Sequence, residues 1–87
     1  MAYYLSIHFE PSVPRQKVEG RWIELARERR ALWVRTWYNL NAGKRFCWWD
    51  APDKEALEEI FRDHDIPWDE IVQVEHTTPA DWVSRED

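Results

Sequence analysis

From Tyr3 to Glu10 the chain alternates, with Leu5, Ile7 and Phe9 in one set and Tyr4, Ser6, His8 and Glu10 in the other. That is the period-two pattern of a half-buried strand. Pro11 and Pro14 end it, because proline cannot donate to a ladder and restricts the residue before it. From Arg15 to Arg30 the period lengthens. Val18, Trp22, Leu25 and Ala26 recur at helical spacing among Arg15, Lys17, Arg21, Arg27, Arg29 and Arg30, which predicts a basic amphipathic helix. Gly20 inside it costs about 1 kcal/mol relative to alanine. Alternation returns over Leu32 to Leu40, placing Leu32, Val34, Thr36 and Tyr38 on one face and Trp33, Arg35, Trp37 and Asn39 on the other. The polar link Asn41 to Lys44, whose Gly43 can take positive φ, then turns the chain into a third strand, Arg45 to Ala51, as an antiparallel hairpin.

Pro52, Asp53, Lys54 and Glu55 open a second helix, with proline in the first turn, where its missing N–H does no harm, and acids near the positive dipole end. Leu57, Ile60, Phe61 and His64 form its inward stripe, and Asp65-Ile66-Pro67 stops it. Glu70 to His76 reads as the fourth strand, and the tail beyond keeps one aromatic, Trp82. Strand, helix, strand, strand, helix, strand with right-handed crossovers favours a ferredoxin-like α+β fold. The expected sheet is four-stranded and antiparallel, in order 4-1-3-2, with both helices on one face, in a single domain over residues 1–87.

Two helices cover one face of such a sheet. The stretch Phe46-Cys-Trp-Trp-Asp-Ala-Pro-Asp53 is apolar on both faces, and either choice of outward set on the middle strands leaves bulky rings uncovered. A patch of that size is larger than monomers usually expose. The expectation is a homodimer through the open sheet face, generally about a two-fold axis.

Seven Trp, three Tyr and three Phe among 87 residues fit that expectation, since large amphipathic rings are favoured at interfaces. One cysteine excludes an intrachain disulfide, and the start lacks a signal-peptide pattern, so the expected location is cytoplasmic. No apolar run suits a membrane span. The net charge of −5 divides into +5 over residues 1–45 and −10 over residues 46–87. The acidic half outweighs the basic one, which argues against nucleic acid and for oppositely charged helices lying side by side.

Candidate chemistry is sparse. Cys47 serves as a nucleophile or soft metal ligand only with a cation or histidine to hold the thiolate; otherwise it is a small buried hydrophobe. No two of His8, His64 and His76 stand at i,i+2 or i,i+4, so a metal site must be assembled by the fold. His8 and His76 lie on neighbouring strands and meet on one face if the registers agree. Asp50, at the strand-to-helix junction beside aromatics, is the acid/base candidate among the acids around the second helix. Arg35 between Trp33 and Trp37 offers a cation–π shelf, an interface anchor or a stacking site for a small aromatic or anionic ligand, and Trp48 belongs to the same interface set.

The segments Trp33-Val-Arg-Thr-Trp-Tyr38, Phe46-Cys47, Asp50-Ala-Pro-Asp-Lys-Glu-Ala-Leu57, Ile66-Pro-Trp-Asp-Glu-Ile71 and Val74-Glu75 resemble a bacterial family of uncharacterised small ferredoxin-like proteins that includes a nickel-binding member type. The resemblance covers about residues 32–76. It implies a dimeric α+β sandwich and a divalent metal, nickel in that member type, near the strand hairpin. Where the family often carries a strand-two histidine this chain has Arg35, which cannot ligate a metal, so only Cys47 carries over. The resulting expectation is a non-catalytic dimeric module binding a small ligand or a divalent metal, with Cys47, His8 and His76 as candidate ligands and Trp33, Arg35, Trp37 and Trp48 as interface candidates. One alternative is a dimeric α/β-barrel enzyme of monooxygenase or isomerase type, with its cavity between helices and sheet. Another is a structural or regulatory partner that docks through the aromatic face.

Overall fold

The computed structural model describes residues 1–83. Seven elements follow in order: β1 (Ala2–Phe9), α1 (Arg15–Leu25), β2 (Leu32–Asn39), β3 (Lys44–Ala51), α2 (Lys54–Asp63), β4 (Glu70–Val74) and α3 (Pro79–Val83). The four strands form one antiparallel sheet, β2-β3-β1-β4, which is the expected 4-1-3-2 order read from the other edge. No helix among the described residues is long and apolar enough to cross a membrane.

Several ends differ from the sequence pattern, each for a local reason. α1 stops at Leu25, and Glu28 then accepts the N–H groups of Arg29 and Arg30 and the Arg30 guanidinium, which fixes a turn where the pattern continued the helix. Asp53 caps α2 by accepting the Ala56 N–H at 2.8 Å, so it precedes the helix and Pro52 lies one residue further out. β4 ends at Val74, two residues short of His76. Gly43 has φ +72°, and a Cβ there would lie 2.9 Å from Pro11 Cα, so both the turn and the close approach of β1's exit require glycine.

The main difference is in β2. Its register against β3 shifts between Trp33 and Arg35, leaving Val34 as the extra residue of a bulge. A bulge reverses the alternation beyond it. Trp33 therefore shares a face with Thr36 and Tyr38, not with Arg35 and Trp37.

The pairing registers lay out each face in rows. Toward the helices run Trp33–Trp49–Tyr4–Gln73, then Thr36–Cys47–Ser6–Ile71, then Tyr38–Arg45–His8. On the open side run Leu32–Asp50–Tyr3–Val74, then Arg35–Trp48–Leu5–Val72, then Trp37–Phe46–Ile7–Glu70. Of the two alternating sets in β1, the more polar one is buried: Tyr4, Ser6 and His8 lie under the helices, while Phe9 is half exposed on the other side. The core is Tyr4, Cys47, Trp49, Leu57, Ile60, Phe61, Ile66 and Ile71, closed by Leu25 of α1. As the charge split suggested, the basic and acidic halves meet. Arg30 reaches Glu59 and Asp63 of α2, and His64 lies against Glu24 and Glu28.

Candidate functional site

Beneath the helices, polar side chains hydrogen-bond to one another, with Arg45 Nη1 buried without a partner. The Trp49 Nε1–H donates to Ser6 Oγ at 3.2 Å, and Ser6 Oγ lies 2.9 Å from His8 Nε2. The other ring nitrogen, Nδ1, donates to the Pro67 carbonyl at 2.8 Å. A carbonyl only accepts, so Nδ1 carries the proton, and Nε2 accepts from the Ser6 hydroxyl. Burial is the main cause that pushes the His8 pKa down, and the nearby Arg45 cation adds to it. His8 is thus a neutral histidine with both nitrogens occupied.

Next to it stands an ion triad. Glu10 accepts from Arg21 at 2.6 Å and 3.2 Å and from Arg45 at 2.7 Å. The Arg45 side chain is only 4% exposed, and that carboxylate is the counter-charge that compensates its burial. Burial raises the Glu10 pKa, but the hydrogen bonds from both arginines outweigh it and hold the group below the usual carboxylate range. Sequence reasoning missed this triad. Its signal was Arg45 alternating with Cys47 and Trp49 in a strand otherwise suited to a core.

Cys47 lies in the middle helix-facing row and is buried. Burial pushes its thiol pKa up, against smaller opposing effects of Thr36, Arg45 and Ser6, so it is a protonated thiol at neutral pH. The space it shares with His8, Val18, Trp22 and Arg45 between helix and sheet is about 10 Å³, room for one water at most. A larger, open pocket of about 500 Å³ lies beyond it, lined by Glu10, Lys17 and Arg21 on one side and Phe61, Arg62 and Trp68 on the other.

His76 does not join His8. Tyr3 pairs with Val74, so the register carries His76 past the far end of β1, onto the open face. Its ring lies 4.8 Å from Trp48 and 5.6 Å from Tyr3. Among the described residues no three His, Cys, Asp or Glu side chains converge as a metal site. Asp50 lies in the open-face row between Leu32 and Tyr3, away from any enclosed cavity.

The interface candidates divide. Trp33 turns inward because of the bulge, stacks on Trp22 at 6.4 Å and donates its Nε1–H to Thr36 Oγ1 at 2.7 Å, so it leaves the proposed shelf. Arg35 and Trp37 remain together on the open face, with the guanidinium carbon 5.9 Å from the ring centre. Trp37 stacks nearly parallel to Trp48, and Tyr3 meets Trp48 edge-on at 5.3 Å. Trp37 and Trp48, with Leu5, Phe46 and Val74, line a groove of about 610 Å³ whose polar lining is Glu75 and His76.

Fold and site together define a ferredoxin-like α+β protein with one helix-covered, hydrogen-bonded sheet face and one bare aromatic face. The chain belongs to the family described as "Nickel responsive protein SCO4226-like", whose model matches residues 4–74. Among solved structures, the crystal structure of SCO4226 from Streptomyces coelicolor A3(2) superposes with a TM-score of 0.73. That similarity covers 88% of this chain and 100% of the other, at 15% sequence identity, and so speaks to the fold. No curated protein sequence matches the chain.

Proposed function

We propose that this protein is a non-catalytic homodimeric binding module, in which two copies pack their open sheet faces together and the aromatic groove takes a small ligand. The observation that carries this reading is the open face itself. Trp37 is 48% exposed and Phe9 51%, with Tyr3 and Val72 near 40%, so large apolar side chains of β1, β2 and β4 lie bare on one side, flanking the half-buried Phe46 and Trp48 of β3. Two-fold packing covers both copies of such a patch at once. The groove's 610 Å³ lies within the usual size of small-molecule sites, and its aromatic walls with few polar groups match their usual lining.

The test is sedimentation equilibrium at micromolar concentration. A dimer is expected, and Trp48→Glu, which places a charge at the centre of the face, should give a monomer with unchanged far-ultraviolet dichroism. A wild-type chain that stays monomeric would sink the proposal.

The family description makes nickel the first ion to test. Cys47 and His8 do not fit as donors, since one is a buried protonated thiol and the other has both nitrogens in use. His76 and Glu75, by contrast, are exposed ligating groups at the groove, and a second copy doubles them. In this second reading nickel is held at His76 and quenches the neighbouring Trp48. The expected result is saturable quenching of tryptophan fluorescence that His76→Ala abolishes. Quenching that survives the substitution would place the metal elsewhere.

A further inference from the structure

Beyond β4 the chain continues as a short arm, residues 75–83, past the end of the family match at residue 74. α3 contributes no buried residue. With it the molecule measures 50 × 29 × 21 Å and has a radius of gyration of 14.7 Å. A compact chain of this length has a radius of gyration of roughly 12 Å. The arm is nonetheless shaped. Asp81 accepts the Thr78 N–H at 2.9 Å, and the Trp82 Nε1–H donates to Thr77 Oγ1. A segment already ordered loses less entropy when it docks.

We propose that this arm is an intersubunit clasp: in the dimer it crosses onto β2 of a second copy of the chain and seats Trp82 beside Arg35 and Trp37 there. The inference rests on the sheet-to-sheet dimer reading above. β2 and β4 are the two edges of the sheet. When two such sheets face each other about an axis running along the strands, β4 of one copy lies over β2 of the other. The arm then leaves β4 above the Leu32 end of the partner's β2, since Val74 and Leu32 share a row.

That edge has what the arm needs. Leu32 is 60% exposed and Trp37 48%, an apolar margin of the kind edge strands otherwise avoid. Arg35, on the same face, sits over Trp37, and no carboxylate lies within ion-pair distance of it among the described residues. The arm brings the carboxylates of Glu75 and Asp81 together with the apolar surface of Trp82 and Val83. Acid and ring on the arm therefore complement cation and ring on β2.

Two measurements decide it. Single variants Asp81→Cys and Arg35→Cys, mixed in equal amounts and oxidised, should give a disulfide-linked species of twice the chain mass that neither gives alone. Only contact between copies can form it, and the native thiol of Cys47 is buried. Trp82→Ala should weaken dimerisation about tenfold or more, mainly through faster dissociation, with dichroism unchanged. If the wild-type chain is dimeric but the cross-link fails and Trp82→Ala dimerises normally, the clasp is overturned and the dimer stands. If the wild-type chain is monomeric, the dimer reading itself has failed.

Discussion

With a neutral imidazole the chain from Trp49 through Ser6 and His8 to Pro67 is complete, Ser6 accepting from Trp49 and donating to His8 Nε2; a protonated ring would donate to Ser6 instead and take that acceptor away from the hydroxyl proton. This makes the fold acid-sensitive in a defined sense. The folded pKa of His8 lies below its ordinary value of 6.5, so below that pH the unfolded chain binds a proton that the folded chain refuses. Stability should be complete above pH 6.5 and should fall as pH drops from there through the folded pKa. Glu10, also depressed, adds a second loss below its ordinary 4.5, as the folded carboxylate is finally protonated. Urea titrations across this range should show both stages, and His8→Gln should remove the upper one; an unchanged upper stage would contradict the assignment. In the sequence His8 looks like any histidine alternating with apolar neighbours. Its burial, and the loss of Cys47 as a thiolate, depend on which face the helices cover.

At the scale of the element, glycines separate local from tertiary demands. Gly20 lies within α1 with nothing within 4 Å of where a Cβ would sit, so it contributes only backbone freedom. Gly20→Ala should therefore stabilise the protein by about 1 kcal/mol in chemical denaturation. Gly43→Ala should do the opposite, because it forces a side chain into positive φ and against Pro11 Cα at 2.9 Å. Equal effects at the two positions would refute this account. The strands and helices themselves were legible, since periods of 2 and 3.6 are written in the spacing of apolar residues. The bulge at Val34 was not: an extra residue leaves composition and alternation looking regular, yet it moves Trp33 off the Arg35–Trp37 face.

For the whole molecule, the Glu10–Arg21–Arg45 triad ties the exit of β1 to α1 and β3. Removing one member of a buried ion pair typically costs about 3–5 kcal/mol, because the other charge is left without a partner. Glu10→Ala should cost that much by urea denaturation, while Glu10→Gln combined with Arg45→Met should cost clearly less. A double variant as damaged as Glu10→Ala would show that the charge of Arg45 is not the issue. The exposed bridges from Arg30 to Glu59 and Asp63 should matter little, since solvent-exposed pairs contribute only about 0–1 kcal/mol.

The sequence by itself determined the element order, the ferredoxin-like topology and an aromatic surplus larger than two helices can cover. These follow from periodicity, proline and glycine placement and composition, all of them properties of neighbours along the chain. Tertiary structure decided what each face is for. Pairing register set His8 and His76 at opposite ends, a single bulged residue turned Trp33 inward, and the helices covered the more polar face of β1. A one-residue change in register moves a side chain to the other side of a sheet. Helix packing then fixed which side is dry, leaving Tyr3, Phe9, Trp37 and Val72 exposed around the half-buried Phe46 and Trp48 on the face on which the proposed assembly rests.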